Sequence, residues 1–279
     1  MRLGSVRKIK RNASRFGTKA EYTQVSYFNF ETGTHVSWRK RRYRESLPKQ
    51  KRLNEKRSRR YFEALVEANF KSLKDLHITL TFAPENYPES KEAALKEVKK
   101  WISRLNYRRK KQGKENCKYI IVFEVSKTGR YHFHILMDGA MERDVVEEQW
   151  KLGFCNADRL RKDARIGFTQ IANYLCKGCQ SGDDDPEDKH RKRWIPSHGL
   201  IKPWISVTKV PRISNKRFNL LQQIPVDSEI FIQTIEKDNP GYWVQSVERE
   251  YNQETGAWHI FARMRLKLGG EDADDNAMG

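Results

Sequence analysis

The chain has 279 residues, of which 37% are hydrophobic and 33% are charged, with a formal net charge of +19 and a pI near 9.8. No apolar run is long enough to cross a membrane and no signal peptide precedes the basic N-terminus, so we expect a soluble cytoplasmic protein with no membrane partner. The excess of Lys and Arg favours a polyanionic partner, most commonly nucleic acid.

The N-terminal segment, residues 1–71, is basic and poorly patterned, and we expect an arm or helix there. Twelve Lys or Arg residues lie between Arg39 and Arg60, with Trp38, Tyr43 and Tyr61 interspersed or adjacent. Such a segment can follow a phosphate backbone and stack its rings on bases. A solvated basic tail and a nuclear-localisation signal fit the same pattern. The candidate DNA contacts in this segment are Arg39, Lys40, Arg41 and Arg42.

Regular hydrophobic patterns begin near Leu76 and define a central domain over residues 72–180. The predicted elements are a strand at 77–82, a helix at 90–111, strands at 118–125 and 131–137, a short helix at 143–152, a strand at 154–160 and a helix at 168–177. This β-α-β-β-α-β-α order predicts an α+β fold, with a ferredoxin-like (RRM-like) antiparallel sheet and helices packed on it.

The helix predicted at 90–111 has two distinct sides. Its apolar residues recur at helical spacing and indicate a buried stripe. Its other side is strongly basic and is a second candidate surface for DNA. The candidate DNA contacts there are Arg104, Arg108, Arg109, Lys110 and Lys111.

The segment His132-Phe133-His134 lies in the second strand of a predicted hairpin. Side chains alternate between the two faces of a strand, so both imidazoles leave the same face. If residues 126–130 form a five-residue turn, Glu124 shares that face, whereas a four-residue turn would point it to the other. A carboxylate with two imidazoles suits Mg²⁺ or Mn²⁺. The alternative is a set of polar residues on a half-exposed sheet.

The helix predicted at 168–177 carries Tyr174 away from its apolar stripe, on the side that also holds Gln170 and Lys177. Lys177 is three residues from Tyr174 and therefore its neighbour on the helix surface. Its ammonium group would favour a phenolate, and such a tyrosine can attack a phosphodiester. The alternative is a surface tyrosine beside a solvated lysine.

The C-terminal part is predicted to contain a polar loop at 181–200, a β-rich subdomain at 201–270 and an acidic tail at 271–279. Three strands are expected in the subdomain, at 229–235, 242–250 and 258–267. Of the four cysteines, Cys176 and Cys179 form one C-x-x-C pair. No second pair follows at zinc-binding spacing, so we interpret them as structural thiols.

Three segments in this order resemble the HUH endonuclease superfamily: the strand Ile78-Thr79-Leu80-Thr81-Phe82, then Glu124 with His132-Phe133-His134, then Tyr174-Leu175-Cys176-Lys177. Within it the chain looks like the single-tyrosine rolling-circle replication initiators (Rep proteins) of plasmids and phages. The segments Trp150–Phe154 and Ile171–Leu175 look like the same branch. The resemblance covers about residues 72–180.

This resemblance implies a site-specific nuclease that nicks and rejoins single-stranded DNA at an origin hairpin. It implies that Glu124, His132 and His134 hold Mg²⁺ or Mn²⁺, that Tyr174 forms a 5′-phosphotyrosine, and that Lys177 assists it. The chain lacks the P-loop motif G-x-x-x-x-G-K-[ST], so unwinding is expected from a host helicase. The alternatives are a transposase of the same superfamily and a non-catalytic RNA- or DNA-binding ferredoxin-like module.

Overall fold

The described secondary structure falls into two compact units. A computed structural model describes residues 6–16, 18–29, 48–126, 128–163, 166–178, 194–208, 213–252 and 257–267. One unit is Arg57–Ile201, called the central unit here, and the other is Met1–Lys56 with Lys202–Gly279, called the terminal unit. Within the described residues, no helix has both the length and the apolar character that crossing a membrane requires.

The helices and strands alternate along most of the chain. In chain order they are β1 (Arg7–Asn12), β2 (Tyr22–Phe28), α1 (Pro48–Asn69), β3 (Leu76–Thr81), α2 (Lys91–Lys111), β4 (Tyr119–Val125), β5 (Tyr131–Met137), α3 (Arg143–Glu148), β6 (Cys155–Arg159), α4 (Thr169–Gly178), β7 (Ile195–Pro196), β8 (Trp204–Thr208), α5 (Asn215–Gln223), α6 (Glu229–Lys237), β9 (Tyr242–Asn252) and β10 (Ala257–Leu266).

The central unit contains an antiparallel sheet in the order β6-β3-β5-β4-β7. Helices cover both of its faces. On the face called the α2 face here, apolar side chains such as Ile78 and Phe133 pack with Trp101 of α2. On the opposite face, the α4 face, Val122 and Leu136 pack with side chains of α1 and α4. The predicted α+β fold with helices on an antiparallel sheet is confirmed.

The terminal unit contains a second antiparallel sheet, in the order β8-β1-β2-β10-β9. Its core combines strand residues with residues of α5 and α6, including Tyr27, Ile260, Phe218 and Phe231. This arrangement differs from the predicted division into an N-terminal arm at 1–71 and a separate subdomain at 201–270. Strand β1 pairs with β8, so the two ends of the chain contribute to one sheet.

The strand predicted at 229–235 is wrong, because these residues form helix α6. Phe231 and Ile235, four residues apart, are buried, whereas Ile230 is exposed. Burial at this spacing requires helical geometry, and a strand would have placed Ile230 and Ile232 on one face.

Some of the predicted features fall on residues that are not described. Most of the predicted loop at 181–200, the acidic tail at 271–279, Cys179 and the four candidate DNA contacts at 39–42 lie outside the described residues.

Candidate active site

The hairpin of β4 and β5 has the predicted five-residue turn. Glu124 lies opposite His132, and Val125 opposite Tyr131, which leaves residues 126–130 as the turn. The backbone N–H of Ser126 donates to the carbonyl of Arg130 over 2.8 Å and closes it. This register is confirmed, and it places Glu124 on the same face as both histidines, the α4 face of the sheet.

Glu124 and His134 form a direct contact on this face. Glu124 Oε2 lies 3.1 Å from His134 Nε2, and the Thr79 hydroxyl lies 3.4 Å from His134 Nδ1. Burial lowers the pKa of His134, and the neighbouring carboxylate only partly opposes this effect. A neutral imidazole held at both ring nitrogens has a fixed orientation, which suits a metal ligand.

His132 faces the same side, opposite Glu124 and Thr81. Among the described residues, however, no three His, Cys, Asp or Glu side chains are grouped closely enough to hold a metal ion. The Glu124–His134 pair does fit one, since two adjacent ligands of an octahedral ion with bonds of ~2.1 Å lie ~3.0 Å apart. The predicted three-ligand set is therefore only partly assembled, and its metal-binding role stays a prediction.

His77 also belongs to this cluster, although the sequence patterns did not single it out. Its ring stacks on that of His134, with centroids 5.5 Å apart and an interplanar angle of 23°. Burial, and next the neighbouring His134, lowers the pKa of His77 to about 4. Strand alternation carried the signal, because His77 lies opposite Leu136 on β5 and so shares the face of His134.

Tyr174 stands over these histidines on helix α4 and is 52% exposed. Its ring meets His134 edge-on at 5.4 Å between centroids, and His77 at 6.5 Å. The predicted position of Tyr174 off the apolar stripe is confirmed, because Ala172 and Leu175 of the same helix are buried in the core. The structure therefore brings together Tyr174, Glu124 and His134. Lys177 follows on the same helix, but its side chain lies outside what the structure describes.

Two buried carboxylates of α1 hold the first turn of α4. Glu67 accepts a hydrogen bond from the backbone N–H of Phe168 over 3.0 Å, and Glu63 accepts one from the Thr169 hydroxyl over 2.8 Å. The first N–H groups of a helix lack partners within it, so such acceptors fix where the helix starts. These contacts position α4, and with it Tyr174, on the sheet.

We expect Glu67→Ala to lower the free energy of unfolding by about 1–3 kcal/mol, because it leaves a buried N–H unsatisfied. Urea denaturation followed by circular dichroism measures the change. The exposed Glu148 of α3 is the matched control, and Glu148→Ala should shift stability by less than about 0.5 kcal/mol. Equal losses in the two variants would contradict the positioning role.

The candidate DNA contacts of α2 divide into two kinds. Arg104, Arg108, Lys110 and Lys111 are exposed on the helix. Arg109 is only 1% exposed and forms a buried ion pair with Asp138, so its prediction as a DNA contact is wrong. Helix α2 packs on the α2 face, so these basic residues lie in the layer opposite the Tyr174 cluster.

Arg109→Ala should cost about 3 kcal/mol of unfolding free energy, since it leaves Asp138 without its buried partner. This value is at the low end for buried pairs because the Asp138 side chain is 21% exposed. Arg108 carries the same charge on the exposed side of the same helix, and Arg108→Ala should change stability by less than about 0.5 kcal/mol. Thermal and urea denaturation of both variants provide the comparison. Similar stability of the two would refute the structural role of Arg109.

Comparison with known families supports a role in replication. Residues 75–181 match the model of the family described as replication-associated protein ORF2. No curated protein and no solved structure matches the chain significantly. The family match spans the sheet and helix α4, and so includes Glu124, His132, His134 and Tyr174. Over these residues the chain is similar to replication-associated proteins, which supports a replication initiator.

Proposed function

We propose that the central unit nicks single-stranded DNA at a replication origin and keeps one end attached through a phosphotyrosine at Tyr174. The observation that carries this proposal is the position of the half-exposed Tyr174 edge-on to His134, which contacts Glu124. A nucleophile, a carboxylate and neutral imidazoles then share one surface that solvent reaches. Phosphoryl transfer by a tyrosine needs such a combination.

The covalent step exchanges one phosphate ester for another. The Tyr174 oxygen bonds to phosphorus while the bond from phosphorus to the 3′ oxygen of the preceding nucleotide breaks. The phenol loses one proton and the departing 3′ oxygen gains one. The products are a 5′-phosphotyrosine and a free 3′-OH that primes synthesis, and a later 3′-OH can reverse the step and rejoin the strand. Lys177 is proposed to position the nucleophile or neutralise the phosphoryl oxygens.

Glu124, His132 and His134 are proposed to hold Mg²⁺ or Mn²⁺. When bound, such an ion polarises the scissile phosphate and stabilises charge on the departing oxygen. The chain itself supplies a carboxylate, a buried neutral imidazole and the Thr79 hydroxyl beside its second nitrogen. Any duplex unwinding is assigned to a host helicase.

Two other functions were considered from the sequence. A transposase of the HUH type would use the same residues on transposon ends, and substrate choice alone separates it from an initiator. A non-catalytic RRM-like module binds RNA on an open sheet. Both faces of the central sheet carry packed helices, which favours the enzyme over that module.

The proposal is tested by incubating the full chain with single-stranded oligonucleotides from candidate origins and Mn²⁺. We expect a protein–DNA adduct that survives denaturing electrophoresis, and peptide mass spectrometry should place the nucleotide on Tyr174. Adducts with transposon ends but with no origin would favour the transposase. If no candidate DNA gives an adduct while binding persists, the nuclease assignment fails.

A further inference from the structure

A polar cleft of about 590 Å³ opens beside Tyr174, towards strand β6 and the segment that follows it. Tyr174 and His77 form the wall nearest the site, and Ile171 and Gln170 extend that wall along α4. The sheet order β6-β3-β5-β4 sets its direction. Viewed from His134 on β5, the cleft lies on the β3 and β6 side, whereas Glu124 lies on the β4 side.

Three guanidinium groups line this cleft, those of Arg143, Arg159 and Arg161. The carboxylates nearest to the first two, Asp144 and Glu142, are 3.8 Å away. Ion pairs of this length between exposed side chains contribute little, so they compete weakly with a phosphate. Guanidinium groups bind phosphate oxygens through paired hydrogen bonds. The cleft therefore offers cationic contacts within reach of the tyrosine.

The remaining walls suit a nucleobase. Asp158 presents a carboxylate, which accepts hydrogen bonds from exocyclic amino groups, and Gln170 presents an amide. The rings of Tyr174 and His77 and the side chain of Ile171 supply surface for stacking and apolar contact. His77 Nε2 is buried and has no hydrogen-bond partner among the described residues. A volume of this size falls in the range of small-ligand sites and accommodates a nucleotide.

We propose that this cleft binds the nucleotide on the 3′ side of the scissile phosphate and retains that end of the single strand after cleavage. The inference rests on the proposed function, in which Tyr174 becomes joined to the 5′-phosphate. In-line displacement places the departing 3′ oxygen, with its nucleotide, on the far side of phosphorus from the tyrosine. A cleft on the tyrosine's own side is thus available only to the strand that stays attached.

The test compares two octathymidylates of equal length and charge, one phosphorylated at its 5′ end and the other at its 3′ end. Neither probe needs to be cleaved, so binding is measured by fluorescence anisotropy on the full wild-type chain. We expect the 5′-phosphorylated probe to bind more tightly. Arg161→Ala should weaken it about tenfold, as expected for one lost charged hydrogen bond, and the 3′-phosphorylated probe less than about twofold.

Arg143→Ala, on a different element, should reproduce this selective loss. Lys99→Ala removes the same charge from an exposed position of α2 and should affect neither probe. Equal binding of the two probes, or equal weakening of both by Arg161→Ala, overturns the proposal. If adducts form on Tyr174 but the probes are not distinguished, only the cleft assignment fails. Selective binding without any adduct leaves the cleft and removes the nuclease.

Discussion

Replacing Tyr174 by phenylalanine should reduce covalent attachment to single-stranded DNA by about 10⁴-fold or more, because it removes the attacking oxygen. The substitution keeps the ring that contacts His134 and His77, so the packing of α4 is retained. The phosphotyrosine holds the 3′ part of the cut strand. An oligonucleotide labelled at its 3′ end therefore reports the adduct on a denaturing gel.

Tyr107 provides the matched control, since it is 61% exposed and lies on α2, which packs on the opposite face of the sheet. Tyr107→Phe should form the adduct at the wild-type rate. An adduct of normal yield in Tyr174→Phe would show that another residue is the nucleophile.

Glu124→Gln should lower the rate of nicking at limiting Mn²⁺ by at least about 100-fold. Glutamine has the same size and can still hydrogen-bond to His134 Nε2, but it lacks the charge that a divalent ion requires. Isothermal titration with Mn²⁺ alone, without DNA, measures the loss of metal affinity directly. Initial rates across a Mn²⁺ series show whether the defect is in metal binding.

Glu148→Gln removes the same charge from an exposed position on α3 and should leave both measurements unchanged. A normal Mn²⁺ dependence in Glu124→Gln would show that this carboxylate is not a metal ligand. The free energy of unfolding of the two variants, measured in parallel, separates loss of the metal from loss of the fold.

The hairpin site was predictable because its geometry depends on neighbouring residues only. Strand alternation sets the common face of His132 and His134, and the length of the turn sets the position of Glu124. Tyr174 was predictable for a similar reason, since helical periodicity distinguishes it from the buried Ala172 and Leu175.

Features that depend on distant partners were not predictable. Arg109 follows Leu105 by four residues and continues the buried stripe, but only contact with Asp138 allows a guanidinium there. Glu63 and Glu67 looked like part of a basic arm until helix α4 supplied their hydrogen-bond donors. In α6, three consecutive apolar residues, 230–232, fitted a strand as well as a helix.

The pairing of β1 with β8 has a consequence for folding during synthesis. Lys8 lies opposite Thr208, so β1 and β2 leave the ribosome long before the other strands of their sheet exist. At about 5–20 residues per second, the wait for β8 to β10 lasts on the order of 10–50 s. A lone two-stranded ribbon is marginally stable and exposes edges that invite aggregation. Four of the six residues of β1 are Lys or Arg, and their mutual repulsion protects the nascent chain during this interval.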